Sequence, residues 1–216
     1  MPRHSAKPSK PAKVPVHRAP PPQQVRIIGG AWKRTPLPVL DALGLRPTPD
    51  RVRETVFNWI NHLRDGDWAS ARCLDLFAGS GALGFEAASR GAAKVLMVDS
   101  NAAVLRQLDV IKTKLHADHV QLLRADAMAS AASLAGRGER FDLLFLDPPY
   151  QMDLLAKALP LCAPLLAPGA LVYAEAASAL PFGEEAPAWL DGWELVRQDK
   201  AGMVHFHLLQ LHKSQE

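Results

Sequence analysis

Residues 72–90, RCLDLFAGSGALGFEAASR, decide the architecture of this chain. An apolar run ends in Asp75, three glycines follow at the spacing Gly79-x-Gly81-x-x-Gly84, and an alanine-rich segment closes the stretch. That order reads as a strand over 72–77, a tight glycine turn and a helix over 82–90. Glycines at such a turn permit left-handed backbone and close approach of a ligand to the main chain.

Outward from this unit the pattern repeats. Strands are expected near 94–98, 120–124, 141–146 and 169–175, and helices near 101–116, 128–135 and 151–166. Strand and helix in alternation predict an α/β fold, a doubly wound sheet that is parallel in its core. Two strand-like runs between Trp193 and Leu211, about a turn at Lys200–Gly202, predict an antiparallel hairpin at the sheet edge.

Four acids recur at the ends of these strands: Asp75, Asp99, Asp126 and Asp147. Ligands of open α/β sheets bind at the carboxyl ends of the strands, where strand order reverses. Helix caps and loop acids explain any one of the four but not comfortably the row. A G-x-G-x-x-G turn alone serves dinucleotides and S-adenosylmethionine equally. Asp75 lies four residues before the first glycine, where a pyrophosphate is unwelcome and a sulfonium-bearing amino acid is welcome. Asp99 can accept both ribose hydroxyls, and Asp126, followed by Ala127, can accept from an adenine amine.

The stretch 141–150, FDLLFLDPPY, tips the balance. A buried strand ends at Asp147, two prolines stiffen the exit, and Tyr150 follows. The exocyclic amine of a nucleobase is a poor nucleophile, because its lone pair is conjugated with the ring. Asp147 and the carbonyl of Pro148 can accept its two N–H bonds and keep the lone pair aimed at an electrophile. Tyr150 can stack on the ring. Catalysis is then mainly positioning with electrostatic help.

Ahead of this body, Met1–Gln24 holds seven prolines and five basic residues, and reads as a disordered basic tail. Residues 25–66 read as an extension made of strand, basic turn and helix, and 67–216 as the catalytic domain. VRIIGGA (25–31) reads as a short strand with a Gly-Gly turn, and 37–45 as irregular. Trp32 can stack on a base or anchor the turn to the body, the second reading being favoured. Lys33, Arg34 and Arg26 are candidates for phosphate contact. In the segment LRPTPDRVRETVFNWINHL, Thr48 is the expected N-cap, and Val52, Val56, Trp59, Ile60 and Leu63 the buried face.

The net charge of +3 hides an asymmetry: eight of the first 40 residues are Lys or Arg and none is acidic, while the remainder is net negative. A basic arm on an acidic body suits a polyanionic partner, although a solubilising tail has the same composition. Two isolated cysteines argue against disulfides or zinc, and the eight histidines form no convincing metal cluster, so no metal is expected. No signal peptide or membrane span is visible, which suits a cytoplasmic protein.

VRIIGG, RPT-x-DRVRE-x-x-FNW, LDLFAGSGALGFEAASRGA, FDLLFLDPPY and the Lys200-Ala-Gly202 turn together resemble the RsmD family. These are bacterial 16S rRNA guanine-N2 methyltransferases of the class I, Rossmann-like type. The resemblance runs from Val25 to the C-terminus. It implies a seven-stranded, mostly parallel sheet with an antiparallel last strand, S-adenosylmethionine as cofactor, and 16S rRNA in an assembling small subunit as partner. A monomer is expected. Asp75, Ala78, Gly79 and Gly81 would line the methionine end. Asp99 and Ser100 would hold the ribose, and Asp126 and Ala127 the adenine. Asp147, Pro148 and Tyr150 would hold the guanine. Arg46 and Thr48 would cover the cofactor, and Arg51 would meet RNA. Competing readings are an adenine-N6 methyltransferase on DNA or RNA, an NAD-dependent oxidoreductase, and a non-catalytic RNA-binding assembly factor.

Overall fold

The computed structural model describes residues 24–40, 48–149 and 154–212. Arg46, Tyr150 and all of the expected basic tail except Gln24 lie outside these residues. A seven-stranded sheet runs through the body in the order β5-β4-β3-β6-β7-β9-β8. Its strands are β3 (Arg72–Asp75), β4 (Lys94–Asp99), β5 (Val120–Arg124), β6 (Phe141–Leu146), β7 (Leu166–Ala176), β8 (Trp193–Ala201) and β9 (Val204–Leu211). The first five pair in parallel. The predicted hairpin is present, with a refinement: its second strand enters the sheet between β7 and β8, antiparallel to both, and β8 takes the edge.

The central strands are buried on both faces, so each carries a near-continuous apolar run. Alternation divides that run between two cores. Cys73, Leu143 and Phe145 face one side, where they meet helices α2 (Ala82–Ser89) and α3 (Ala102–Leu115). Leu74, Leu144 and Leu146 face the other, toward α4 (Ala127–Gly136) and α5 (Leu154–Cys162). Helix α5 ends at Cys162, short of the expected 166. It gives way to a 3-10 turn at Ala163–Leu165, where Pro164 has no N–H to continue the α ladder.

The segment before β3 differs from its sequence reading in three respects. Residues 36–38 are not irregular: they form strand β2 (Pro36–Pro38), antiparallel to β1 (Gln24–Arg26). Prolines fit there because both occupy the exposed positions of a two-stranded ribbon while Leu37 is buried. Thr48 does not cap helix α1 (Asp50–Leu63); Pro49 occupies the cap position and no side chain satisfies it. The buried face of α1 is Val52, Arg53, Val56, Phe57 and Ile60, with Trp59 only partly covered and Leu63 exposed. Phe57 was not expected inside, but it stacks on Trp68 and lies under the Arg90 guanidinium.

A single buried acid fastens this segment to the body. Glu86 of α2 accepts the backbone N–H groups of Ile28 and Gly29 at 2.6 and 2.9 Å and Nε of Arg90 at 2.8 Å. The guanidinium of Arg53, fully buried, lies 3.9 Å from it and is paired with Asp50 at 2.6 Å. Trp32 anchors the turn, as favoured: its ring stacks on His119 and its N–H donates to Ser89.

Arg34 closes the β1–β2 turn with a left-handed backbone, φ +71°. Its N–H donates to the carbonyl of Ile27 at 2.8 Å. A side chain in that region costs about 1 kcal/mol, which glycine avoids. Arg34→Gly should therefore leave the protein equally stable or up to about 1 kcal/mol more stable in urea unfolding. If Arg34 contacts RNA, the same change weakens RNA binding. A loss of stability would show that the arginine side chain supports the turn.

Candidate active site

Because β3 to β7 are parallel, their carboxyl ends share one edge, and strand order turns the acids into a row: Asp126, Asp99, Asp75, Asp147. Sequence order runs outward from β3 to β5 and then returns to β6, so the reversal falls between Asp75 and Asp147. A fifth acid extends the row. Glu175, in β7, is 1% exposed and was not foreseen. Its signal was an acid within the apolar run LVYAEA, in the strand beside FDLLFLDPPY.

Asp75 is buried at the end of β3. Its Oδ2 accepts the N–H of Gly84 at 3.1 Å, while Oδ1 is buried with no hydrogen-bond partner. Burial pushes its carboxyl up to about 7, against the backbone N–H groups of Phe77 and Gly84 and with a push from Asp99. Asp99 straps the glycine turn: its Oδ2 accepts the Gly79 N–H at 3.0 Å and its Oδ1 the Asn101 N–H at 2.8 Å. Ala78 is held against β4 by its N–H bond to Val98. Gly81 has φ +78°, and a Cβ there would lie 2.6 Å from Leu108 and 2.7 Å from Phe85. Gly84 lets α2 approach Met97, 2.8 Å from where its Cβ would be. Ser100 is exposed beside Asp99. Asp126 is exposed and caps α4, its Oδ1 accepting from Ala129 at 2.9 Å, and Ala127 is buried behind it.

On the other side of the reversal, Asp147 and Glu175 converge on Thr48. The Thr48 hydroxyl lies 2.5 Å from Oε1 of Glu175 and 3.2 Å from Oδ2 of Asp147. The same Glu175 oxygen accepts from the Tyr173 hydroxyl at 2.7 Å. Thr48 has one proton, so it can donate to only one acid at a time. Burial, and then the charges of Glu175 and Asp75, raise Asp147 well above the usual carboxylate range. A protonated Asp147 can donate to Thr48 while Thr48 donates to Glu175. Pro148 is buried behind Asp147 and Pro149 is exposed.

The cations are less concentrated than the acids. Lys33 and Arg34 are exposed on the β1–β2 turn and Arg51 on α1. Arg26 pairs with Asp50 at 2.7 Å. Of the histidines, His207 is buried, with its ring nitrogens near the Ala174 carbonyl and the Leu180 N–H. Among the described residues no group of His, Cys, Asp or Glu is arranged to hold a metal. No described helix is long and apolar enough to cross a membrane.

Residues 25–210 match the family described as Conserved hypothetical protein 95, which is the RsmD family. The chain belongs to the RsmD family. Ribosomal RNA small subunit methyltransferase D of Escherichia coli K12 is 41% identical over 191 residues, which are 87% of this chain and 90% of that protein. The enzyme of the same name from Haemophilus influenzae is 36% identical over 87% of this chain and 94% of its own length. The solved structure of the Escherichia coli protein yhhF superposes with a TM-score of 0.75 at 37% identity, covering 89% of this chain and all of that one. The RsmD family thus accounts for the seven-stranded order and for the glycine turn at the end of β3.

The buried acids fit a cationic ligand. A positive group over the glycine turn would give the orphaned Oδ1 of Asp75 a donor and favour its ionised form. Below pH about 7 binding of such a ligand should release protons. Calorimetry in two buffers of different ionisation enthalpy should show proton release at pH 6 and little at pH 8. S-adenosylmethionine should gain affinity over S-adenosylhomocysteine as pH rises. The protein without ligand should behave in the opposite sense. Between 3.8 and about 7 the fold holds a proton that the unfolded chain has lost, so Asp75 contributes less stability as pH rises through that window. Absence of proton release at pH 6 with both ligands would remove Asp75 from the site.

Proposed function

We propose that this protein transfers a methyl group from S-adenosylmethionine to the exocyclic N2 amine of a guanine in 16S rRNA. The observation that carries the reading is that Asp75 and Asp147 stand at the ends of the adjacent strands β3 and β6, on either side of the strand-order reversal, one acid beside the glycine turn and the other beside the proline exit. The relatives named for small-subunit rRNA methylation support the choice of substrate.

S-adenosylmethionine, when bound, supplies a methyl group on a sulfonium that departs as a neutral thioether. Asp75 and the Gly79–Gly81 backbone would hold its methionine end, Asp99 with Ser100 the ribose, and Asp126 with Ala127 the adenine. Asp147, once ionised, accepts an N–H of the guanine amine and keeps the nitrogen lone pair aimed across the reversal. After transfer the nitrogen carries a surplus proton, which the Asp147 carboxylate would receive. Thr48 and Glu175 fix the orientation of Asp147. A buried acid facing the glycine turn suits a sulfonium amino acid better than the pyrophosphate of NAD. Pro149, exposed beside Asp147, would meet the RNA at the cleft, and Lys33 and Arg34, on a turn that packs against Ser89 and His119, would meet it away from the cleft.

The test uses small ribosomal subunits from cells that lack the enzyme. With methyl-labelled S-adenosylmethionine, label should enter the 16S rRNA and mass spectrometry should find N2-methylguanine. Label on adenine would establish the N6 reading instead. Unlabelled RNA, with cofactor bound, would leave a non-catalytic assembly factor.

A further inference from the structure

A depression of about 430 Å³ opens at the edge of the sheet opposite the acids, where the strands begin. Right-handed strand–helix–strand units bring the starts of the strands and the ends of the helices to this edge. It is lined by Arg72 and Lys94 at the starts of β3 and β4, Lys112 from the last turn of α3, and Arg137 just past α4. Glu139 is its one acid, so the lining keeps three net positive charges. The floor is apolar: Leu96, Leu122, Leu123, Leu134 and Phe141. Strand β5 is the outer strand of the sheet, which leaves the depression open along that side.

A helix-dipole explanation covers Lys112 and Arg137, since cations are favourable at helix C-termini. It does not cover Lys94 or Arg72. Arg72 pairs with Glu139 at 2.6 Å and lies 5.4 Å from the centre of the Phe141 ring. The Arg72 hydrogen bond, with the charges of Arg72, Lys94 and Arg137, holds Glu139 below the usual carboxylate range. One acid is therefore shared among several cations, and the cluster has capacity for a further anion. Methyl transfer uses none of these residues: six residues of β6 place the depression roughly 20 Å from Asp147.

We propose that this depression is a nucleotide-binding site, in which Lys94, Lys112 and Arg137 hold a phosphate and the leucine floor takes the base. Its volume suits one nucleotide: the cationic rim can neutralise a phosphate, and the partly exposed Leu96, Leu122 and Leu123 offer a base an apolar contact, with Leu134 and Phe141 buried beneath them. The nucleotide can belong to an RNA strand passing behind the sheet or be free in solution. The shared chemistry is the same in both cases.

The double variant K94E/R137E of the full chain separates these sources. Two probes are used: guanosine 5′-monophosphate by calorimetry, and small ribosomal subunits by filter binding across a salt series. If the site takes RNA, subunit affinity falls roughly tenfold and the salt slope falls by about two. If it takes a free nucleotide, guanosine monophosphate affinity falls roughly tenfold while subunit binding holds. Unchanged binding of both probes overturns the proposal. S-adenosylmethionine affinity, expected unchanged, shows that the variant is folded, and K94A/R137A repeats the test without charge reversal. The readouts are binding equilibria, so failure here leaves the methyl-transfer reading intact, and failure of that reading leaves this one measurable.

Discussion

Replacing Asp147 with alanine is expected to lower the single-turnover rate of methyl transfer by roughly 10²–10³-fold or more, while S-adenosylmethionine affinity stays within a few-fold. The side chain lies beyond the end of β6, across the strand-order reversal from the glycine turn. On the proposed mechanism its loss removes the acceptor that orients the amine but none of the backbone proposed to hold the cofactor. Asp147→Asn keeps one acceptor oxygen and should fall between wild type and alanine. The pH profile distinguishes them further. Burial and the neighbouring acids raise Asp147, and only its ionised form accepts from the amine. The wild-type rate should therefore climb with pH as that proton leaves, and the asparagine variant should lose this dependence. Equal loss of cofactor binding and transfer in Asp147→Ala would place Asp147 in the cofactor site instead.

The second large effect concerns stability. Glu86→Ala should cost about 3–5 kcal/mol. Arg53 is fully buried, its Nη1 already has no hydrogen-bond partner, and burial pulls its guanidinium down from the ordinary value. Removing Glu86 takes away one of two acids beside it and leaves the N–H groups of Ile28 and Gly29 without their acceptor. The melting temperature should drop by roughly 10 °C. Hydrogen exchange at Ile28 and Gly29 should speed up by more than exchange in β3 or β6. Glu86→Gln preserves the shape and one or two of the bonds, so it should cost less. A melting temperature within 2 °C or so of wild type for the alanine variant would mean that Asp50 alone satisfies Arg53.

The body of this fold was readable because each strand carries its own signal. FDLLFL and VLMV are largely apolar runs long enough for a strand and too short for a helix, and each is followed at once by an acid at the carboxyl edge of the sheet. Where the reading failed, partners distant in sequence decided the outcome. Thr48-Pro49-Asp50 has every local mark of a helix start, yet the threonine hydroxyl turns to Glu175, 127 residues away. Arg53 is absent from the expected buried face of α1: it pairs with Asp50 in its own helix, and the second acid beside it, Glu86, lies 33 residues on, in α2. Glu175 sits in a strand whose alternation would send it either to water or to the core, and only the neighbouring acids and Tyr173 make its burial intelligible. Leu37 and Pro38 read as irregular, yet they pair with β1, because a two-stranded ribbon tolerates prolines at its exposed positions.

The insertion of β9 between β7 and β8 bears on how the molecule is made. A nascent chain that has reached only Ala201 has β8 with no neighbour to join, and the edge of β7 is bare. Glu175 and Tyr173 sit on that bare strand. The emerging enzyme can therefore assemble its glycine turn early, but the base-facing half of its cleft must wait for the final hairpin to fold back. Until then β7 offers an open ladder to other chains. Chaperone dependence during synthesis should centre on that interval, and a premature stop in β9 should yield aggregate more readily than a small, partly active enzyme.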